Sequence, residues 1–221
     1  GFHGSWIFCQ DGDCSASGVL SLRLDSEGAA GPEFKIGQGE EFEFSLSSML
    51  ETHYSGRWGV QGFSISVVHD PEILEIISAT QAGTDAAEVF PFAFERTELV
   101  DRPEGSGFVC AVILSLSNPV TLPPEGIFSL ARTSYRVQPQ AVNAGGPSPG
   151  QAREVSTTIQ YRDGLRGSGQ PVDNRLTHNG ITATPCLEPL ELSFLFLAGE
   201  EFIRGDSDAS AALDISDALR T

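Results

Sequence analysis

The densest run of oxygen donors lies near the end of the chain, from Asp206 to Asp217. With Asp206 as the first of twelve positions, side-chain oxygens fall at one, three and five as Asp206, Asp208 and Ser210. The main-chain carbonyl of Ala212 falls at seven, and Asp214 and Asp217 fall at nine and twelve. A hard cation such as Ca2+ takes this kind of oxygen ring. Leu213 at position eight supplies an apolar anchor, and Ser216 to Arg220 reads as an exiting helix. Ala211 stands at position six, where glycine normally makes the sharp turn; its Cβ makes a left-handed backbone costlier and weakens the affinity expected. The competing reading is a solvated acidic helix start, capped by Asp214 or Ser216. Arg204-Gly205-Asp206 also spells an adhesion tripeptide, but matches of three residues are common and the cation frame already uses Asp206.

Cysteine is the second residue type with chemistry to offer. Four allow three pairings, and proximity favours Cys9 with Cys14 around Gln-Asp-Gly-Asp, leaving Cys110 with Cys186. In the chain-entropy picture the long loop would stabilise by roughly 4–5 kcal/mol and the short one by about 2. Four free thiols are the alternative. Paired cysteines would imply an oxidising compartment, and the lack of any Cys-x-x-Cys pair argues against zinc. His3, His53, His69 and His178 are far apart and lack metal-ligand spacing, so each is expected at the surface or in a turn. No Gly-x-Ser-x-Gly elbow, phosphate-cradling glycine loop or His-Glu-x-x-His is present. Nothing singles out a carboxylate pair for glycoside hydrolysis, and the expectation is a protein without catalytic activity.

The elements that would carry these groups read as strands. In the stretch Trp58 to Ile77, Phe63, Ile65 and Val67 alternate with Ser64, Ser66 and Val68, which gives one apolar face and one smaller, more polar face. His69-Asp70-Pro71 stops that strand, and Ile73, Leu74, Ile76 and Ile77 begin another. Leu20, Leu22 and Leu24 share one face of a strand over 19–24. Phe42, Phe44 and Leu46 alternate as cleanly. Further strands are expected over 87–94, with Pro91 at an edge or a bulge, and over 108–116, 127–137, 155–161 and 180–184. Residues 28–39, 49–57, 101–107, 139–153 and 162–175 read as connections. The sum is about nine strands, an all-β, two-sheet sandwich of the jelly-roll kind. Residues 1–18 form an arm or edge strand with the small cysteine loop. Residues 19–189 form the sandwich, and 190–221 a linker followed by the calcium segment.

A net charge of −17, with thirteen Lys and Arg scattered singly, excludes a phosphate-tracking surface and so nucleic acid. No apolar run is long enough to span a membrane. The chain starts at Gly1 rather than Met, which suggests a processed start and permits export.

The run Gly62-Phe63-Ser64-Ile65-Ser66-Val67-Val68-His69-Asp70-Pro71-Glu72-Ile73-Leu74-Glu75-Ile76 resembles the central signature of cohesin-like domains. Gly37 to Phe44 resembles their early strand, and Gly126 to Val137 a late one. Residues 206–217 resemble one half of a dockerin, in which aspartate commonly closes the loop; a dockerin has two such loops. The likeness implies a secreted or cell-surface, non-catalytic assembly protein that binds Ca2+ and a protein partner. With a receptor-like and a ligand-like part in one chain, that partner could be a second copy, building a fibre head to tail. The alternative is a glycan-binding module of the same architecture, stacking sugars on Trp6, Tyr54 or Trp58.

Overall fold

The computed structural model describes residues 18–25, 33–37, 39–53, 59–89, 94–103, 105–114, 120–138 and 152–197. The longer strands follow the apolar alternation. They are β1 (Val19–Leu24), β2 (Glu33–Ile36), β3 (Glu43–His53), β4 (Val60–His69) and β5 (Leu74–Thr80), then, after helix α1 (Asp85–Glu88), β6 (Phe94–Arg102), β7 (Gly105–Ile113), β8 (Glu125–Val137) and β9 (Arg153–Tyr161). Short pieces follow as β10 (Leu165–Arg166), β11 (Pro171–Val172), β12 (Arg175–His178), β13 (Ile181–Ala183) and β14 (Cys186–Leu187), and the last strand among the described residues is β15 (Leu190–Phe196).

One sheet runs β14-β1-β3-β8-β5. The other runs β13-β12-β4-β9-β15-β2, with β7 and then β6 joined along the other edge of β4. All pairings are antiparallel except β1 with β14 and β15 with β2. The two inner faces bury Leu20, Leu46, Ile65, Val67, Phe108, Tyr135 and Phe194 in one core. At one end of it Phe44 stacks on Phe34 and on Tyr135, with ring centroids 5.6 Å apart in each case. The close approach of β7 to β4 requires Gly107, where an added Cβ would sit 1.8 Å from the Val67 carbonyl oxygen.

The two-sheet all-β architecture is as expected, but several boundaries differ. Glu33–Ile36, read as part of a link, is a strand whose Phe34 and Ile36 are buried. β3 runs on through His53, because Leu50 and Thr52 continue the inward phase of Phe44 and Leu46. Of the strand expected over 87–94, Ala87 and Glu88 end α1 and Phe94 begins β6, while residues 90–93 lie outside the described residues. Thr84 caps α1 by accepting the Ala87 N–H, and the Asp85 carboxylate takes both the N–H and the hydroxyl of Ser129 on β8. Leu190–Phe196, assigned by composition to a linker, is a strand of the sandwich with Leu192, Phe194 and Phe196 in the core.

Candidate functional site

β6, β7, β4, β12 and β13 lie side by side, and their register sets two rows of outward side chains. One row runs Phe94, Ile113, Gly62, Thr177, Thr182; the next runs Arg96, Ala111, Ser64, Arg175. The two middle strands therefore contribute only Gly62, Ser64, Ala111 and Ile113. Gly62 has no room for a side chain, since a Cβ would meet the Val112 carbonyl oxygen at 2.8 Å. Small side chains in mid-sheet flanked by larger ones make a trough of about 790 Å3. Phe94, 46 % exposed, and Ile113, 38 % exposed, form its apolar side. The β12–β13 turn, left-handed at Asn179, closes the opposite side and is held by Gly180 N–H donating to Gln61 Oε1 at 2.8 Å.

The rest of this face is covered by the β10–β11 hairpin. Val68, Val100 and Val109 point outward from the sheet and are sealed by Leu165 and Val172. Glu98 ties the hairpin down by accepting the Ser168 N–H at 2.6 Å and the Ser168 hydroxyl at 2.9 Å, and it also pairs with Arg96. These bonds, the Ser168 N–H first, hold the Glu98 carboxyl down at about 2. The fully buried Asn174 anchors the hairpin's other end, its Oδ1 accepting the Ser66 N–H at 2.8 Å. Asp163 accepts the Asn174 main-chain and side-chain N–H groups, each at 2.8 Å, and Arg175 at 3.0 Å. Arg175 also reaches Asp173 at 3.1 Å. Both arginines flanking the trough are thus neutralised locally, and the trough itself offers shape and apolar surface rather than net charge.

The outer face of the opposite sheet is different in kind. Arg136 stands between Glu43 and Glu75, and Ser45 and Ser134 share a hydrogen bond across β3 and β8. These cross-strand pairs are polar and bonded to one another.

Residues 206–217 with all six expected calcium positions, together with Trp6, Tyr54, Trp58, Cys9 and Cys14, lie outside the described residues. Cys110 does not bridge to Cys186: it is a free, buried thiol. It sits on β7 and receives a hydrogen bond from Gln81 Nε2 at 2.8 Å, while Cys186 pairs with Val19 in the other sheet. His69 is no surface residue either, being the buried last residue of β4. Among the described residues no group of three or more His, Cys, Asp or Glu is placed to hold a metal, and no helix is long and apolar enough to cross a membrane. Sequence reasoning missed the trough as a site, although its signal was visible in Gly62 and Ser64 on the small-residue phase of β4.

No family model matches the chain, and no curated protein matches it. Solved structures do. A chain from the type I cohesin–dockerin complex of Clostridium thermocellum aligns at 12 % identity over 82 % of this chain and 97 % of its own, with a TM-score of 0.50. A cohesin module of a family 33 glycoside hydrolase from Clostridium perfringens aligns at 13 % identity over 82 % and 98 %, with a TM-score of 0.46. A type II cohesin domain from the cellulosome of Acetivibrio cellulolyticus aligns at 10 % over 80 % and 95 %, with a TM-score of 0.44. At such identity the likeness is one of fold: the chain forms a cohesin-like β-sandwich.

Proposed function

We propose that this protein is a non-catalytic, secreted or cell-surface assembly module whose sandwich receives a protein partner in the trough on the β6-β7-β4-β12-β13 face. The observation that carries the reading is the trough itself, with a floor of Gly62, Ser64 and Ala111 and an exposed apolar side of Phe94 and Ile113. A small-residue floor lets a partner's backbone approach closely, and the apolar side gives it surface to bury. The fold supports the reading, because one structure with this architecture was solved as a cohesin–dockerin complex.

The calcium segment completes the proposal. Ca2+ held by Asp206, Asp208, Ser210, the Ala212 carbonyl, Asp214 and Asp217 would order the C-terminal segment as a ligand for the next molecule's trough. Such a heterologous contact does not close on itself and builds a chain of molecules. The glycan-binding alternative fits the trough less well, since Phe94 is the one exposed aromatic residue lining it, short of the row of rings that stacking on sugars uses.

Light scattering after size exclusion, in millimolar calcium and again in excess chelator, tests both parts. Growth beyond a monomer is expected in calcium, with its loss in Asp206→Ala/Asp208→Ala and in Ala111→Lys. A monomer in every buffer would remove the self-assembly, and calcium-dependent growth that survives Ala111→Lys would move the contact away from the trough.

A further inference from the structure

Among the described residues the β10–β11 hairpin pairs only with itself, Leu165 with Val172 and Arg166 with Pro171. It lies on the outer face as a separate layer, and its base and tip are held by different means. At the base Asp163 accepts both Asn174 N–H groups, the Gly164 N–H donates to the Val172 carbonyl at 2.9 Å, and the buried Asn174 is bonded to β4. At the tip the hydrogen bonds all go to β6. Ser168 bonds Glu98 through its N–H and its hydroxyl, and Arg96 reaches the same hydroxyl. These tip bonds are exposed, and water competes for each of them.

The layer is thin and leaves space beneath it. Gly167 and Gly169 let the tip lie flat: a Cβ on Gly167 would collide with the Glu98 carboxylate, and one on Gly169 would stand 2.8 Å from Arg96 Nη1. A gap of about 30 Å3 remains between the tip and Val109 and Ala111. Ala111 also lines the trough, so the gap adjoins it. The outward rows continue under the hairpin as Glu98, Val109, Ser66 and then Val100, Gly107, Val68. In the first of them the Ser66 hydroxyl is buried with no hydrogen-bond partner among the described residues, and such a group gains by meeting water or a ligand.

We propose that the hairpin is a hinged flap over the inner half of the docking face, and that its opening lengthens the trough by the strip Val109, Ser66, Val100 and Val68. This role rests on the trough being the docking site for the next molecule's calcium segment, and it supplies that site's regulation. With the flap closed, the partner meets Phe94 and Ile113 as apolar surface. With it open, Val100 follows Phe94 along β6 and Val109 follows Ile113 along β7. The open form therefore binds more tightly, and binding shifts the population toward it. Glu98 is the latch, and Gly164, left-handed at φ +88°, is the hinge.

The test uses two neighbouring thiols on opposite faces of β7. Val109→Cys places one beneath the flap, while Cys110, in the core, reports opening of the whole sandwich in the same molecule. The full chain is alkylated with iodoacetamide in excess chelator at low protein concentration, and each position is read by tandem mass spectrometry. The introduced thiol is expected to react at least tenfold faster than Cys110. Glu98→Ala should speed it at least tenfold again and leave Cys110 unchanged; Ser168→Ala, which alters no charge, should act in the same direction. Val100→Cys repeats the measurement from β6, and whichever variant keeps Cys110 as slow as in the parent decides the question. In millimolar calcium, light scattering should show Glu98→Ala assembling at a protein concentration at least threefold below that of the parent. The flap is overturned if the introduced thiols react no faster than Cys110, or if Glu98→Ala leaves their rate unchanged. Its regulatory role is overturned if Glu98→Ala assembles at the parent's concentration. A monomer in every buffer overturns the docking site and the regulation with it, and is told apart from the other failures because the alkylation is measured without any partner.

Discussion

The imidazole of His69 stands edge-on to the phenol ring of Tyr135, with ring centroids 5.3 Å apart and planes at 82°. One ring ends β4 and the other lies on β8, so the contact joins the two sheets at the level where β4 leaves the sandwich. Both rings are buried, and neither His69 Nδ1 nor the Tyr135 hydroxyl has a hydrogen-bond partner among the described residues. Desolvation dominates the imidazole and brings its pKa from 6.5 down to about 4, although Asp70, Asp101 and the Leu74 carbonyl act the other way.

An acid-dependent loss of stability follows. Between about 4 and 6.5 the unfolded chain binds a proton at this histidine and the folded chain does not. The stability conferred by neutral His69 is therefore complete above the unfolded value. It is lost as the pH falls toward 4, by roughly 3 kcal/mol in all. Urea unfolding at pH 7.5 and pH 4.5 should show the parent losing about that much more than His69→Phe. Equal losses in the two proteins would contradict the assignment.

Cys110 should behave as a concealed thiol. Burial raises it to about 12 against the opposing bonds from Thr97 and Gln81, so almost no thiolate forms at neutral pH. Alkylation in native buffer should leave Cys110 unmodified for hours, and denaturation without reductant should expose it at once. Peptide mapping that finds Cys110 in a disulfide would overturn this.

Gly107 and Gly164 should respond differently to alanine. At Gly107 the new methyl meets the Val67 carbonyl inside the sheet, and a loss of more than about 2 kcal/mol is expected. At Gly164, φ is +88° with nothing within 4 Å, so only the left-handed backbone is penalised, by about 1 kcal/mol. Thermal melts of the two variants should keep that order.

Glu98 should act as the latch of the β10–β11 hairpin. Glu98→Ala removes the acceptor for both Ser168 groups, and amide exchange in residues 164–172 should rise while β3 and β8 stay unchanged. The parent should show the same loosening only as the pH approaches 2, where the carboxyl takes its proton. Unchanged exchange in Glu98→Ala would assign the hairpin's order to the apolar seal of Leu165 and Val172 alone.

The strands were legible wherever a local rule was enough. Phe63, Ile65 and Val67 face the core as their alternation required, Phe44 and Leu46 do the same, and the Asp70-Pro71 corner falls where proline forbids the ladder to continue. Leu190–Phe196 misled because a short apolar run after a composition break reads equally as linker or strand; what makes it a strand is its place between β9 and β2, the latter paired in parallel from far earlier in the chain. The run over 87–94 misled in the opposite sense, since its apolar spacing hid the Thr84 cap and the Asp85–Ser129 bonds that favour a helical turn.

Sequence alone determined the all-β class, most core faces and the oxygen pattern of residues 206–217, because period-two alternation and ligand spacing are properties of a few neighbouring residues. Tertiary structure decided that Cys110 stays a thiol, that His69 is buried, and that Gly62, Ser64 and Ala111 share a floor flanked by Phe94 and Arg175. It also decided that β9 continues past the end of β4. Each of these depends on which distant strands become neighbours and in what register, and pairing energy comes from backbone bonds that every residue offers alike. A strand's own side chains show which face it buries, but not whom it lies beside.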